Sequence, residues 1–163
     1  MKATVLGLFI AFVPFASAAE PLLVSPVADY GTAIPDNIKE CGLHTSQAQD
    51  VLEALAAAGI AAQGATEDKV PAKGRYLQLR IESAMSQGNA FTGHHKQVTT
   101  SAHLYQNGKE VGQTTLSRDS MGGAFGGYKS SCSVLRRCTS TLGKDIAAWV
   151  KGQPAQSPAA PAP

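Results

Sequence analysis

Past its first 19 residues the chain has no apolar run approaching the ~18 residues that a membrane-crossing helix needs. No transmembrane anchor is therefore expected. It also lacks an excess of one charge: 14 Lys and Arg stand against 12 Asp and Glu, a net of +2. That balance excludes strong non-specific attraction to nucleic acid. No Gly-x-Ser-x-Gly elbow is present, so the nucleophile elbow of the α/β-hydrolase type is excluded. The glycines at 122, 123, 126 and 127 do not make a phosphate loop: Tyr128, not glycine, precedes Lys129, and the dinucleotide spacing is missing. Cysteine is scarce, with three in all, and none stands directly after the leader's cleavage site, so a bacterial lipid-attachment box is not supported.

What is present begins with an export signal. Lys2 is a short basic region, Thr4 to Phe15 is apolar but too short to span a bilayer, and Ala16-Ser17-Ala18-Ala19 offers cleavage after Ala18 or Ala19. Removing residues 1–19 leaves 144 of 163, enough for one domain with a real core. Lys2 leaves with the leader, which brings the net charge from +2 to +1. Residues 20–152 read as a single domain, and the Pro/Ala-rich residues 153–163 as a disordered tail. The expected location is the periplasm or the medium.

Periodicity supplies the elements. Leu22 to Val27 reads as a strand ended at Pro26, and Gly31 to Cys41 as a loop. Ser46 with Gln49 three residues on resembles a capping box for a helix with Ala48, Val51, Leu52, Leu55 and Ala58 on one face. Ile60 to Thr66 reads as a short edge strand. Tyr76 to Met85 alternates, with Leu77, Leu79, Ile81 and Met85 facing inward, and Ser86 to Gly93 reads as a loop. Asn107-Gly108 signals a type I′ hairpin between Lys96–Gln106 and Lys109–Ser117, pairing Leu104 with Val111 and Tyr105 with Glu110. From Ser130 or Ser131 as N-cap, Leu135, Cys138, Leu142, Ile146, Trp149 and Val150 form a helical stripe, with Gly143 marking a bend or a close approach and Trp149 closing one end of the core. The order β-α-β-β-β-β-α predicts an α+β fold: an antiparallel sheet of four to five strands with two helices on one face. The other face would carry Arg80, Glu82, His103 and Tyr105.

Candidate chemistry is thin. Cys132 and Cys138 lie roughly 9 Å apart along one helix at 1.5 Å per residue, too far to bridge. Cys41 is thus one partner of any internal disulfide. Cys132, at the helix start where the backbone can adjust, is preferred, and Cys138 on the buried stripe is the alternative. An unbonded Cys132 or Cys138 paired with a histidine would instead be a nucleophile, the rival enzymatic reading. His94, His95 and His103 do not converge as metal ligands, since neighbours on a strand point to opposite faces, and no metal or cofactor is expected. From Arg118 to Gly152 six cations face two acids. Lys129, Arg136 and Arg137 are the candidate contacts for an anionic envelope polymer or an envelope protein. A solvated helix face is the ordinary alternative.

The stretch from Arg118 to Val150 resembles the C-terminal signature of small secreted proteins of proteobacteria. The resemblance rests on the Gly-rich turn Gly122 to Gly127, Lys129 to Cys132, and Leu142-Gly143-Lys144-Asp145-Ile146 followed by Trp149 and Val150. Lys39-Glu40-Cys41-Gly42-Leu43 resembles the partner cysteine motif of that group, which implies a Cys41–Cys132 bond and no particular activity. The element order is also similar to the N-terminal domain of the TolB translocation protein and to envelope auxiliary lipoproteins. Fold alone fixes no function. Taken together, these observations predict a non-catalytic binding or interaction module of the cell envelope.

Overall fold

The computed structural model describes residues 20–32, 34–89, 93–120 and 130–153. The expected leader, the Gly-rich turn, Lys129 and all but the first residue of the expected tail lie outside them. The elements are β1 (Leu22–Val24), β2 (Asp29–Tyr30), α1 (Asp36–Lys39), α2 (Leu43–Ala57), β3 (Ala62–Gly64), β4 (Arg75–Asn89), β5 (Gly93–Gln106), β6 (Lys109–Ser120) and α3 (Ser131–Gly152). The fold is α+β, as the periodicity predicts, with the sheet order β3-β1-β4-β5-β6 and β2 also paired to β4.

The sheet is antiparallel only in its long half. The strands β4, β5 and β6 form an antiparallel meander, whereas β1 pairs parallel with both β3 and β4, and β2 pairs parallel with β4. The sheet is thus mostly antiparallel, as expected, with a parallel half that the periodicity does not predict. Its cause is the α2 connection, since a helix-long crossover returns the chain to the end where β1 began. Pro26 does interrupt the first strand, and Ser25 repairs the break. Its buried hydroxyl accepts from the Leu79 N–H at 3.2 Å, and pairing with β4 resumes at Asp29.

Several local expectations shift. Residues 31–41 are not all loop, because α1 forms after Pro35. Helix α2 starts at Leu43 behind Gly42, whose φ of +65° suits glycine. Ser46 therefore sits inside the first turn, donating to the carbonyls of Gly42 and Leu43, and no capping box forms. Strands β4 and β5 run through the stretch read as a loop, with Asn89 opposite Gly93. A bulge between Ile81 and Ser83 gives β4 one extra residue, so the inward phase slips and Ala84 is buried where Met85 was expected. A second bulge sets Leu104 opposite Gly112 and leaves Val111 out at 42% exposure, while Tyr105 and Glu110 do face each other. Gly112 has to lie on the inner face: a Cβ there would stand 3.4 Å from the Trp149 ring. Asn107 and Gly108 both take positive φ, 50° and 76°, as a type I′ turn requires.

Helices α2 and α3 cover one side of the sheet. Leu43, Val51 and Leu55 of α2 meet Leu135, Leu142 and Ile146 of α3 and Leu77, Leu79, Ile81, Val98 and Leu104 of the sheet in one apolar cluster. Ser130 caps α3, its hydroxyl accepting from the Ser133 N–H at 3.2 Å. Among the described residues no helix is long and apolar enough to cross a membrane.

Candidate functional site

The start of α3 is where the sequence signals converge. Cys132 in its first turn is bonded to Cys41, which follows α1; the two Cα atoms are 5.1 Å apart and the residues are 91 apart in sequence. Arg136, one turn further on, falls on the same side of the helix. Its Nε and Nη2 donate to the Cys41 carbonyl at 3.2 and 2.9 Å. The guanidinium thus ties α3 to the backbone of the bonded Cys41 beside the covalent link. Cys138 is a free thiol only 3% exposed, and burial, then the nearby Asp119 charge, pushes its pKa upward. A bonded sulfur is no nucleophile, and a buried thiol with a raised pKa presents almost no thiolate at neutral pH.

A polar ladder joins the two helices to the sheet inside the core. The fully buried Gln47 of α2 donates to the Thr139 carbonyl at 3.4 Å and accepts from Thr100 of β5 at 3.3 Å. Thr139 in turn donates to Asp50 at 2.7 Å. Asp50 has its pKa raised, with burial the main cause and the Thr139 bond opposing it. The sequence reading missed this ladder because Gln47, Thr100 and Thr139 break the apolar stripes that it follows.

The basic charges of the last third are not one patch. Arg118 forms a two-pronged pair with Asp145, at 2.6 and 2.8 Å. Arg136 is engaged as described, Arg137 is exposed, and Lys129 lies outside the described residues. Lys144 and Lys151 rim a groove of about 630 Å³ between α2 and α3, floored by Ala54, Ala57, Ala147 and Ala148 with Asp50 and Glu53 opposite. Lys96 was not anticipated. It is 4% exposed and shares the inward parity of Val98, Thr100, Ala102 and Leu104.

On the uncovered side of the sheet, Asp29, Gln78, Arg80, His103, Tyr105 and Glu110 line a pocket of about 240 Å³. These groups pair with one another. Arg80 lies 3.8 Å from Asp29 and 3.6 Å from Glu82, Glu82 accepts from Ser101 at 2.6 Å, and His103 meets Glu110 at 3.2 Å. Tyr105 donates to Gln78 at 3.3 Å, and its phenol pKa is raised by burial and by Glu110. At the hairpin end, Tyr76 on the same side is fully buried and donates to Asp68 at 2.8 Å. Among the described residues no three His, Cys, Asp or Glu groups are placed to hold a metal.

No family model matches the sequence, and no curated protein matches it. The likeness that exists is in three dimensions. A Xanthomonas campestris protein of family DUF330 is 10% identical with a TM-score of 0.56, covering 87% of this chain and 91% of its own. The PelC dodecamer of Paraburkholderia phytofirmans is 17% identical with a TM-score of 0.50, covering 82% of this chain and 93% of its own. At such identities the shared feature is the fold.

Proposed function

We propose that this chain is an exported protein of the bacterial cell envelope that acts by binding, not by catalysis. The observation that carries the reading is the state of its cysteines. Cys132 is held in a bond to Cys41 and Cys138 is buried, so neither candidate nucleophile offers a thiolate. In this reading residues 1–19 are the leader, residues 20–152 are the working domain in the periplasm, and residues 153–163 form the tail. The leader pattern, the disulfide suited to an oxidising compartment and the fold shared with the DUF330 protein support it. The contacts in this reading are the exposed Arg137 of α3 and Lys129, which precedes that helix in the sequence, with an anionic envelope polymer or an envelope protein as the partner. PelC is described as a dodecamer. We carry self-association to this chain as part of the proposal, with the edge of β6, which has a sheet neighbour on one side only, as its contact.

Co-sedimentation of the mature protein with purified cell-wall sacculi and with lipopolysaccharide tests the binding reading, and light scattering tests the self-association. Salt-sensitive retention supports the polymer contact. No retention by either material, together with substrate turnover only after reduction, would overturn the reading in favour of a cysteine enzyme.

A further inference from the structure

We propose that the uncovered face of the sheet holds a site for one neutral sugar ring, with Arg80 and Asp29 as its central contacts. Strand pairing builds the pocket of about 240 Å³ found there. Asp29 of β2 stands opposite Arg80 of β4, and Gln78 of β4 stands opposite His103 of β5, so these side chains leave the sheet on one side. Hydrogen bonding is left unfinished at the centre. The Arg80 Nε is buried without a hydrogen-bond partner. The carboxylates beside the guanidinium, Glu82 at 3.6 Å from Nε and Asp29 at 3.8 Å from Nη1, lie beyond hydrogen-bond reach. Among the described residues the Asp29 carboxylate accepts no hydrogen bond. Gln78 takes the Tyr105 hydroxyl on its carbonyl oxygen and keeps its amide protons to donate. An unfilled buried donor in a native fold points to an acceptor from outside the chain.

Charge decides what that acceptor is. Arg80 already faces two carboxylates, and His103 faces Glu110 at 3.2 Å. A carboxylate or phosphate would enter near Asp29, Glu82 and Glu110, and an ammonium would enter beside the guanidinium, so either meets like charge. The pocket lacks hydrogen bonds, not counter-charge. A hydroxyl supplies both missing partners in one group, accepting from Arg80 and donating to Asp29. A carbonyl oxygen fills only the Arg80 side. Further hydroxyls on a rigid ring can accept from the Gln78 amide and donate to Glu110, and Tyr105 adds an aromatic wall with a polar tip. The volume is below the ~300 Å³ at which pockets for drug-sized ligands begin, which suits a single ring. A second cavity of about 650 Å³ is lined in part by Tyr76, which stands opposite Tyr105. The ring is therefore either a free sugar or the end unit of a glycan whose next units run past Tyr76.

The inference goes beyond the binding reading and stands apart from it. The site is on the side of the sheet away from α3, and uncharged sugars do not probe a basic helix. The isotope-labelled mature chain is titrated with glucose, galactose and N-acetylglucosamine, and separately with chitotriose. The Arg80 Nε–H resonance and the backbone amides of β4 and β5 are followed by NMR. A saturable shift of the Arg80 resonance by at least one of these saccharides is expected. Arg80→Lys keeps the charge between Asp29 and Glu82 but removes the Nε donor. It should weaken binding by about ten- to a hundredfold, the worth of one hydrogen bond to a charged group. Asp29→Ala, at a side chain 58% exposed, should leave the fold intact and weaken binding about tenfold. Chitotriose binding at least about tenfold tighter than the single sugar, or chitotriose binding alone, assigns the site to a glycan end, and equal affinity assigns it to a free sugar. No saturable shift with any saccharide overturns the proposal. So does an equal shift with acetate or N-methylacetamide at matched ionic strength, or unchanged affinity in Asp29→Ala, whether or not Arg80→Lys folds.

Discussion

Gly143 of α3 lies directly against the backbone of Asp50 in α2. A Cβ at position 143 would stand 2.8 Å from the Asp50 carbonyl carbon and oxygen. The glycine is therefore a close approach and not a bend, and the Ala-lined groove beside it exists because the helices meet there. Gly143→Ala should raise helix propensity by about 1 kcal/mol, yet the contact is with backbone that cannot swing away. We expect a net loss of about 1–3 kcal/mol, the usual cost of overpacking. Urea denaturation measures it, and a variant more stable than wild type would show that α2 and α3 can separate freely.

The Cys41–Cys132 bond closes a loop of 91 residues. In the chain-entropy account a loop of that length is worth about 4 kcal/mol, a large share of the stability of a small domain. Dithiothreitol, or Cys41→Ser, should lower the urea midpoint accordingly. Cys138 should react with iodoacetamide only after unfolding. An unchanged midpoint on reduction, or rapid alkylation of Cys138 in the native protein, would contradict the bonding and burial described.

The long elements were legible in the sequence because each obeys one period. The α3 stripe from Leu135 to Val150, the inward residues Leu77, Leu79 and Ile81, and the Asn107-Gly108 turn all stand where the pattern puts them. The misses share a cause: tertiary contacts changed the local count. The extra residues at Glu82 and Val111 are bulges, set by partners that the local pattern does not contain. Gly31 packs against the Glu82 carbonyl so tightly that a Cβ would come within 2.8 Å of it. The parallel pairing of β1 with β3 is a crossover property, invisible to a reading one strand at a time. Of the candidate site, the cysteine pair and α3 were legible. Lys96 was not, since a lysine in a strand is ordinarily read as facing water.

Asp50 makes stability depend on pH in a predictable direction. Its folded pKa is raised by burial, so in the window between the unfolded value, about 3.9, and the higher folded value the native state holds more protons. Stability contributed at this site is then present at low pH and lost as pH rises through the folded value. Asp50→Asn keeps an acceptor for Thr139 and removes the charge. It should be more stable than wild type at pH 7 and indistinguishable from it below the unfolded value. Paired urea titrations at the two pH values check this, and a variant less stable at pH 7 would mean that the Thr139 bond to the carboxylate outweighs burial.

Arg136 and Arg137 look equivalent in the sequence, but the structure separates them. Arg136 spends two donors on the Cys41 carbonyl, whereas Arg137 is exposed and has no side-chain hydrogen bond or ion pair among the described residues. Arg136→Ala leaves that carbonyl without its side-chain donors, so it should cost about 1 kcal/mol of stability. Arg137→Ala should leave the urea midpoint within about 0.5 kcal/mol of wild type. The order reverses for polymer retention: Arg137→Ala should weaken co-sedimentation with lipopolysaccharide and flatten its salt dependence, while Arg136→Ala, once folded, should bind nearly as wild type does. Equal stability of the two variants would remove the structural role given to Arg136. Full retention by Arg137→Ala would move the contact off this side of α3.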